Sequence, residues 1–226
     1  MRILSFFNKN KSKVYAPAYE AYLAYFTKKI NLKKPICETR FIVLDTETTG
    51  LDPKKDHILS VAAIEVRGTD FSVKNRLECY VEQPEYQPGE SIAVHGILPH
   101  QSAGGISEKA MLQQLLELVK DAIIVGHHIG FDIAILNESM QREMGGPLKN
   151  KTLDTSTLAR RIEDPFKMKQ VRRKNYSLDN LCKKYDIEMG ERHTAAGDVF
   201  ITALLFLKLL GQLERKKVRT LGELLR

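Results

Sequence analysis

The feature that most restricts the fold of this chain is an uninterrupted apolar run, Phe41-Ile42-Val43-Leu44. Side chains alternate between the two faces of a strand, so a strand that is apolar throughout must be covered on both faces. We therefore expect a strand here, near the centre of a sheet. Apolar periodicity predicts further strands at 58–66, 73–81, 122–125 and around Leu153, and helices at 14–30, 107–120, 132–144, 177–185 and 194–210.

The order of these elements is three strands, followed by helices that alternate with short strands. This order predicts a mixed α/β sheet with helices packed on it. With 226 residues, the chain is long enough for one large domain, or for one domain with an appendage. Two stretches are predicted as loops, a Pro- and Gly-containing segment at 83–105 and a basic segment at 164–176.

The positive charge is concentrated at positions 1–40, where nine Lys or Arg stand against two Asp or Glu, a surplus of 9 − 2 = +7. This equals the net charge of the whole chain, +7, so the charges of the remaining part balance. A basic segment can bring a polyanion such as nucleic acid to a neutral domain, or it can be a solvated helix with no ligand. The tyrosines of the 14–30 helix likewise suit base stacking or packing.

The cysteine and hydropathy patterns indicate the cellular compartment in which the protein is expected. The three cysteines lie far apart without a CxxC pair, which argues against a disulfide framework or a zinc site. The apolar start of the chain ends at Asn8, too early for a signal peptide, and the later run at 199–207 is too short to span a bilayer. These patterns predict a cytoplasmic protein with no membrane segment.

Two acids, Asp45 and Glu47, follow the apolar run directly. Alternation along a strand places both carboxylates on one face, where their repulsion at ~4 Å is roughly 4 kcal/mol for an effective dielectric constant of 20. A hard divalent cation with oxygen ligands offsets that repulsion. A D-x-E pair alone is common by chance, but the exit of a buried strand is an unusual place for one.

Three more residues are candidates for the same site. Asp132 follows a glycine-containing loop and opens a helix, where it could be a ligand or simply a favourable helix-start aspartate. His193 and Asp198 can converge if the histidine precedes the helix and the aspartate lies on its first turn; otherwise they are a surface histidine and a first-turn acid. Asp154 is predicted to cap a helix rather than to bind a metal.

In order and spacing, these pieces resemble the DEDDh exonucleases of the DnaQ-like superfamily, which includes the epsilon (proofreading) subunit of bacterial DNA polymerase III. The motifs cover about residues 39–211 and read FIVLDTETTGL at 41–51, VHGI at 94–97, GHHIGFD at 126–132 and HTAAGD at 193–198. The chain has His128 where the family usually has Asn, so contacts to base or sugar are expected to differ there.

The resemblance implies a ribonuclease H-like fold, a five-stranded mixed sheet flanked by helices, in an exonuclease domain at 39–226. The basic helical extension predicted at 1–38 lies outside the resemblance. It implies two divalent ions, Mg²⁺ or Mn²⁺. Asp45, Glu47 and Asp198 would hold one ion, and Asp45 with Asp132 the other. His193 would be the general base. The residues expected to line the pocket for the terminal nucleotide are Thr46, Thr48, His95, His127, His128 and Phe131.

The function implied is release of nucleotides from the 3′ end of single-stranded DNA, in an epsilon-like proofreading or repair role. Two alternatives stay open, an RNA-trimming 3′→5′ exoribonuclease of the same family and a non-catalytic module that binds a polymerase. The expected partners are a single-stranded 3′ end and a DNA polymerase subunit. No convincing motif for a sliding clamp is present, and the sequence does not indicate an oligomeric state.

Overall fold

The computed structural model describes residues 14–68, 70–83, 95–163, 176–190 and 192–226. Strands run over Arg40–Thr48 (β1), Ile58–Arg67 (β2), Asp70–Tyr80 (β3), Ile123–Gly126 (β4) and Thr152–Asp154 (β5). Helices run over Pro17–Leu23 (α1), Pro99–Ala103 (α2), Glu108–Val119 (α3), Gly130–Glu143 (α4), Thr155–Glu163 (α5), Leu178–Tyr185 (α6), Ala195–Arg215 (α7) and Leu221–Leu224 (α8).

The strands form one sheet in the order β3-β2-β1-β4-β5. The pairs β1–β2 and β2–β3 are antiparallel, whereas β1–β4 and β4–β5 are parallel. The predicted five-stranded mixed sheet with a central first strand is therefore confirmed. The carboxyl ends of β1, β4 and β5 consequently meet at one edge of the sheet.

The central strand is covered on both faces, as its apolar run predicts. Phe41 and Val43 belong to a core cluster that includes α5, α6 and α7, while Ile42 and Leu44 belong to a second cluster with α3 and α4. All four side chains are at most 1% exposed. Burial on both faces fixes the position of β1 in the sheet, and with it the position of Asp45 and Glu47 near the carboxyl end of the strand.

Three of the predicted helices begin at side chains that cap them. The side chains of Ser107, Ser177 and Thr194 accept hydrogen bonds from backbone amides three residues later and begin α3, α6 and α7. Of the predicted loops, 84–94 and 164–175 lie outside the described residues, and the described part of 83–105 contains the short helix α2. Helix α7 runs five residues beyond the predicted end at 210 because Leu213 still faces the core.

The helix predicted at 14–30 is shorter than expected. It ends at Leu23 and is followed by a 3₁₀ turn at Ala24–Phe26, because residues 27–33 are exposed and gain nothing from packing. Tyr19 and Tyr22 are at most 2% exposed within the second core cluster. The tyrosine face of this helix is therefore packing surface at these two positions.

Polar atoms also tie α1 to the domain. The Tyr19 hydroxyl donates to the Pro147 carbonyl oxygen at 2.7 Å, and the Tyr22 hydroxyl donates to Asn150 Oδ1 at 2.6 Å. A Cβ added at Gly146 would lie 2.6 Å from the Tyr19 hydroxyl, so this glycine makes room for the ring. Residues 17–23 thus share a core with the sheet, and the boundary at residue 38 stays a prediction.

The segment after α1 pairs with the C-terminal part of the chain. The Ile36 amide donates to the Arg219 carbonyl oxygen at 2.9 Å, and the Gly222 amide donates to that of Leu32 at 2.7 Å. Leu221, which lies between these contacts, packs in the first core cluster. The stretch 17–36 therefore contacts the core on one face of the sheet through α1 and the core on the other face through this pairing.

Helix α7 is the one helix in the described part of the chain that is long and apolar enough to cross a membrane. Half of that stretch is buried inside the molecule. Its side chains Val199, Leu205, Phe206 and Leu209 belong to the first core cluster, which also contains β1. Packing on the sheet therefore accounts for the apolar composition of this helix.

Candidate active site

Three of the four predicted metal ligands converge at the carboxyl end of β1. Asp45 and Glu47 project from the strand on the same face, and Asp198 enters from the first turn of α7, which packs on β1 and β2. One carboxylate oxygen from each residue lies within 4.8 Å of the others, and all three residues are half-buried. The strand period predicted that Asp45 and Glu47 share a face, and the family resemblance implied that Asp198 joins them.

The fourth predicted ligand, Asp132, approaches from the first turn of α4 and is 6% exposed. Its Oδ1 accepts hydrogen bonds from the Thr46 amide at 3.0 Å and from the Thr46 hydroxyl at 2.7 Å. These bonds fix the carboxylate against β1. The Thr46 side chain, expected in the nucleotide pocket, thus orients an acid of the site.

A glycine allows the loop that carries this acid to approach the strand. A Cβ added at Gly126, the last residue of β4, would lie 2.9 Å from the Leu44 carbonyl oxygen and nearer still to the Ile129 side chain. Only glycine leaves room for that approach. The loop that follows carries His127 and His128, whose ring centroids lie 4.4 Å apart.

The acids repel one another and are poorly hydrated. Burial, followed by the charge of Asp132, raises the pKa of Asp45 well above its usual range. Burial and the charge of Asp198 raise the pKa of Glu47 to about 8, and burial raises the pKa of Asp132 to about 6. Perturbed carboxyl groups of this kind mark functional sites. Here they mean that the site binds protons at neutral pH unless another cation takes their place.

Arg192 supplies the positive charge that the sequence interpretation missed. Its Nε donates to Asp179 Oδ1 at 2.8 Å, and its Nη1 donates to Asp198 Oδ1 in a short ion pair. The charge of Arg192 lowers the pKa of Asp45 and Glu47 in opposition to burial. Its position directly before His193 was the available signal, but its pairing depends on how α6 packs beside α7.

The predicted general base, His193, lies in the turn before α7 and is exposed. Its φ of 63° is in the left-handed region, which a non-glycine residue adopts only with strain. The next residue, Thr194, caps α7 and accepts from the Gly197 amide at 3.0 Å. His193 therefore precedes α7 and Asp198 lies on its first turn, which is the arrangement in which their spacing allows them to converge.

Two of the residues predicted to line the nucleotide pocket make structural contacts. The Thr48 hydroxyl donates to the Gly50 carbonyl oxygen at 2.7 Å and closes the turn after β1. His95 is buried, and its Nδ1 accepts from the Ile97 amide at 3.0 Å. His95 lines a cavity of about 390 Å³ together with Thr194 and residues of β2 and β3.

The remaining predicted pocket residues lie on the α4 side. His127 Nδ1 is 2.9 Å from the Thr155 hydroxyl oxygen, and burial lowers the pKa of His127 to about 4. His128 is exposed with a φ of 57°, and its Nδ1 is 3.3 Å from the Ser156 hydroxyl oxygen. Together with Phe131 it lines a second cavity, of about 560 Å³.

Asp154 caps α5, as its sequence position predicts. Its Oδ1 accepts from the Ser156 amide at 2.8 Å, from the Ser156 hydroxyl at 2.6 Å and from the Thr157 amide at 3.1 Å. Three donors on one oxygen explain why this acid begins a helix. It does not belong to the three-carboxylate group described above.

The fold and the acid cluster together define a class of protein. The family model described as "Exonuclease" matches residues 42–206, a range that contains every acid of the site and His193. The chain therefore belongs to the exonuclease family, and the predicted resemblance to DnaQ-like exonucleases is confirmed.

Similar proteins fall into two groups. The "DNA polymerase III PolC-type" of Halalkalibacterium halodurans is 30% identical over 176 residues, which are 78% of this chain but 12% of that protein. The "DNA polymerase III subunit epsilon" of Aquifex aeolicus is 29% identical over 187 residues, 82% of this chain and 88% of that protein. The chain thus spans about an eighth of the PolC-type relatives and most of the epsilon relative.

Solved structures share the fold. E. coli exonuclease I in complex with a dT13 oligonucleotide superposes with a TM-score of 0.67 over 80% of this chain and 43% of that chain, at 20% sequence identity. At this identity the likeness concerns the fold alone. It confirms the ribonuclease H-like arrangement of sheet and helices.

Proposed function

We propose that the chain is a metal-dependent 3′→5′ exonuclease that releases nucleotides from single-stranded DNA. The observation that supports this most strongly is the cluster of four half-buried or buried carboxyl groups, whose combined negative charge exceeds the positive charge paired with it among the described residues. Arg192 is the one cation paired with this cluster among the residues that the structure describes. Carboxylate oxygens with an excess of negative charge fit hard divalent ions.

Asp45, Glu47 and Asp198 would hold one ion, and Asp45 and Asp132 would hold the second. The donor set suits Mg²⁺ or Mn²⁺, since all of its ligand atoms are oxygens. Two such ions supply positive charge to both the attacking and the leaving oxygen of a phosphodiester. The raised pKa of Glu47 and Asp132 fits the same view, because carboxyl groups left without a cation retain protons.

The side chains around the acids would orient the substrate and move the proton. His193, exposed in the turn before α7, would take the proton from the attacking water, a role in which imidazole side chains commonly act. His95 lines the first cavity, and His128 and Phe131 line the second. Together with His127, these side chains would hold the terminal nucleotide. Thr46 would keep Asp132 in place through its two hydrogen bonds.

The names of the relatives favour a proofreading or repair role, in which the chain would act with a DNA polymerase. A 5′-labelled oligonucleotide tests the chemistry and its direction, because loss from the 3′ end gives a ladder of labelled products. We expect the ladder with Mg²⁺ and none with a chelator. Unchanged oligonucleotide under all conditions would instead support a non-catalytic binding module.

A matched RNA oligonucleotide in the same assay tests the alternative substrate. Faster trimming of RNA than of DNA of the same sequence would replace the proposed substrate with RNA and leave the metal site as proposed. Digestion from the 5′ end, detected with a 3′ label, would contradict the proposed direction.

A further inference from the structure

Arg192 holds an oxygen that a divalent ion would need. The side chain is 18% exposed and bridges Asp179 on α6 to Asp198 on α7, whose side chains are 51% and 14% exposed. Its Nε is committed to Asp179 and its Nη1 to Asp198 Oδ1. Asp198 Oδ1 therefore has a cationic donor against it in the absence of metal.

A guanidinium and a divalent ion cannot both lie against the same carboxylate oxygen without strong repulsion. Two positive charges that share one oxygen would be closer than ~5 Å, where repulsion is several kcal/mol even at an effective dielectric constant of 20. Loading of Asp198 with a metal ion thus requires Nη1 of Arg192 to move away. Asp179 retains the Nε, so the side chain can turn without leaving the site.

We propose that Arg192 is a built-in counter-ion of the acid cluster, which gives up Asp198 to the metal ion and then offers its guanidinium to the substrate phosphate. This inference rests on the proposed function, because it assumes that Asp198 is a metal ligand. With Nε held by Asp179, both terminal nitrogens of the fork are free to donate, and a planar fork suits a phosphate better than a point charge does. Metal and nucleotide binding are coupled as a result, because metal binding releases Arg192 to the phosphate and phosphate binding draws Arg192 away from Asp198.

A purely structural role for Arg192, as a tie between α6 and α7, predicts the opposite outcome. Loss of a structural tie would leave the Asp198 side chain less well ordered and would weaken metal binding. Loss of a competing cation would strengthen metal binding while it slows turnover. The two roles therefore differ in the sign of one measurable quantity, the affinity of the substrate-free protein for Mn²⁺.

The test is calorimetric titration of the full chain with Mn²⁺, first alone and then with saturating thymidine 5′-monophosphate. We expect R192Q to bind Mn²⁺ more tightly than wild type, on the order of tenfold, and to show a smaller increase in affinity when the nucleotide is added. R192K, which retains the charge without the fork, should keep the wild-type Mn²⁺ affinity and lose most of the nucleotide effect. R142Q is the matched control, because Arg142 pairs with Glu108 outside the site.

Weaker or unchanged Mn²⁺ binding by R192Q, with wild-type binding intact, would overturn the counter-ion role and leave the proposed function standing. Mn²⁺ binding that is absent in wild type would remove the metal site itself, and with it both proposals. If R192Q does not fold, R192K decides the outcome: a wild-type nucleotide effect in R192K contradicts the role of the fork.

Discussion

Buried acids near the two ends of β1 differ in how their charge is paired. The acid near the amino end is Glu65 of the neighbouring strand β2. At the amino end, Glu65 accepts from Arg40 Nε at 2.6 Å, and Arg40 also donates to the carbonyl oxygens of Leu118 and Val119. At the carboxyl end, roughly 17 Å away at the ~3.3 Å rise of a strand, Asp45 and Glu47 meet two further acids. Among the described residues, Arg192 alone forms an ion pair there, with Asp198. The first end satisfies its charges within the protein, whereas the second leaves them for a ligand.

The contrast teaches that an acid's partner distinguishes a structural from a functional role better than its burial does. Glu65 and Asp132 are similarly buried, at 7% and 6% exposure. Removal of an acid at the paired end should cost stability and leave catalysis intact. Removal of an acid at the crowded end should cost catalysis and relieve repulsion.

The largest effect is expected for Asp45→Asn. Asp45 is the acid shared by both proposed metal ions, so cleavage in Mg²⁺ should fall to the background of the oligonucleotide assay. The metal-free protein should become more stable in urea unfolding, because the substitution removes a desolvated charge. Asp121→Asn, at an exposed position, is the control. Undiminished cleavage by Asp45→Asn would refute the two-metal interpretation.

The next effect is expected for His193→Ala. Loss of a general base should reduce kcat by about 10²–10⁴-fold. The urea midpoint should stay near that of wild type, since the side chain is exposed and the helix cap belongs to Thr194. His100→Ala, also at an exposed position, controls for the loss of an imidazole. Wild-type turnover of His193→Ala would remove this histidine from the mechanism.

At the paired end, Glu65→Gln should lower the free energy of unfolding by roughly 3 kcal/mol, the lower range for breaking a buried ion pair. The loss arises because Arg40, whose side chain is 19% exposed, keeps its charge without its carboxylate. Turnover per folded molecule should not change. Glu214→Gln, at an exposed position, is the matched control. A Glu65→Gln protein that is as stable as wild type would show that the two ends do not differ in this way.

The smallest effect is a dependence of metal-free stability on pH. Glu47 has a pKa of about 8 in the folded protein, above the ordinary 4.5 of a glutamate, so the folded state holds the extra proton between these values. Stability from this group is fully present below pH 4.5 and is lost as the pH rises through 8. Asp132, with a pKa of about 6, acts in the same sense.

Unfolding in urea between pH 6.5 and 8 is the cleanest window, because His127, with a pKa lowered to about 4, acts with the opposite sign between about pH 4 and 6.5. We expect wild type without metal to lose stability relative to Glu47→Gln as the pH rises through this window. Saturating Mg²⁺ should abolish the loss, since a divalent ion replaces the protons. A wild type that gains stability over this window relative to Glu47→Gln would contradict the raised pKa.

Much of the fold was predictable because local patterns and burial agree. The apolar run of β1 predicted a central strand, and the predicted helices at 107, 177 and 194 begin within one residue of the observed α3, α6 and α7. The helix at 14–30 was predicted too long because periodicity does not reveal where the core ends. Residues 27–33 are exposed, so burial no longer sustains the helix after Phe26.

The sequence identified the acids of the site, but it did not predict which side chains hydrogen-bond to them or pair with their charge. Alternation along β1 places Asp45 with Glu47, but the bonds from Thr46 to Asp132 join residues 86 positions apart. Arg192 escaped prediction for the same reason, because its partners lie on two different helices. Contacts of this kind depend on how elements pack, which periodicity and capping rules do not encode.

The pairing of 32–36 with 219–222 has a consequence for synthesis on the ribosome. The bond from Ile36 to Arg219 joins distant parts of the chain, so the early segment must wait for almost all of the described sequence to emerge before it finds its partner. Translation adds about 5–20 residues per second, which makes this wait roughly 10–40 s. For most of that interval the face of β1 that carries Phe41 and Val43 lies open to chaperones, because α7 emerges shortly before Arg219 does.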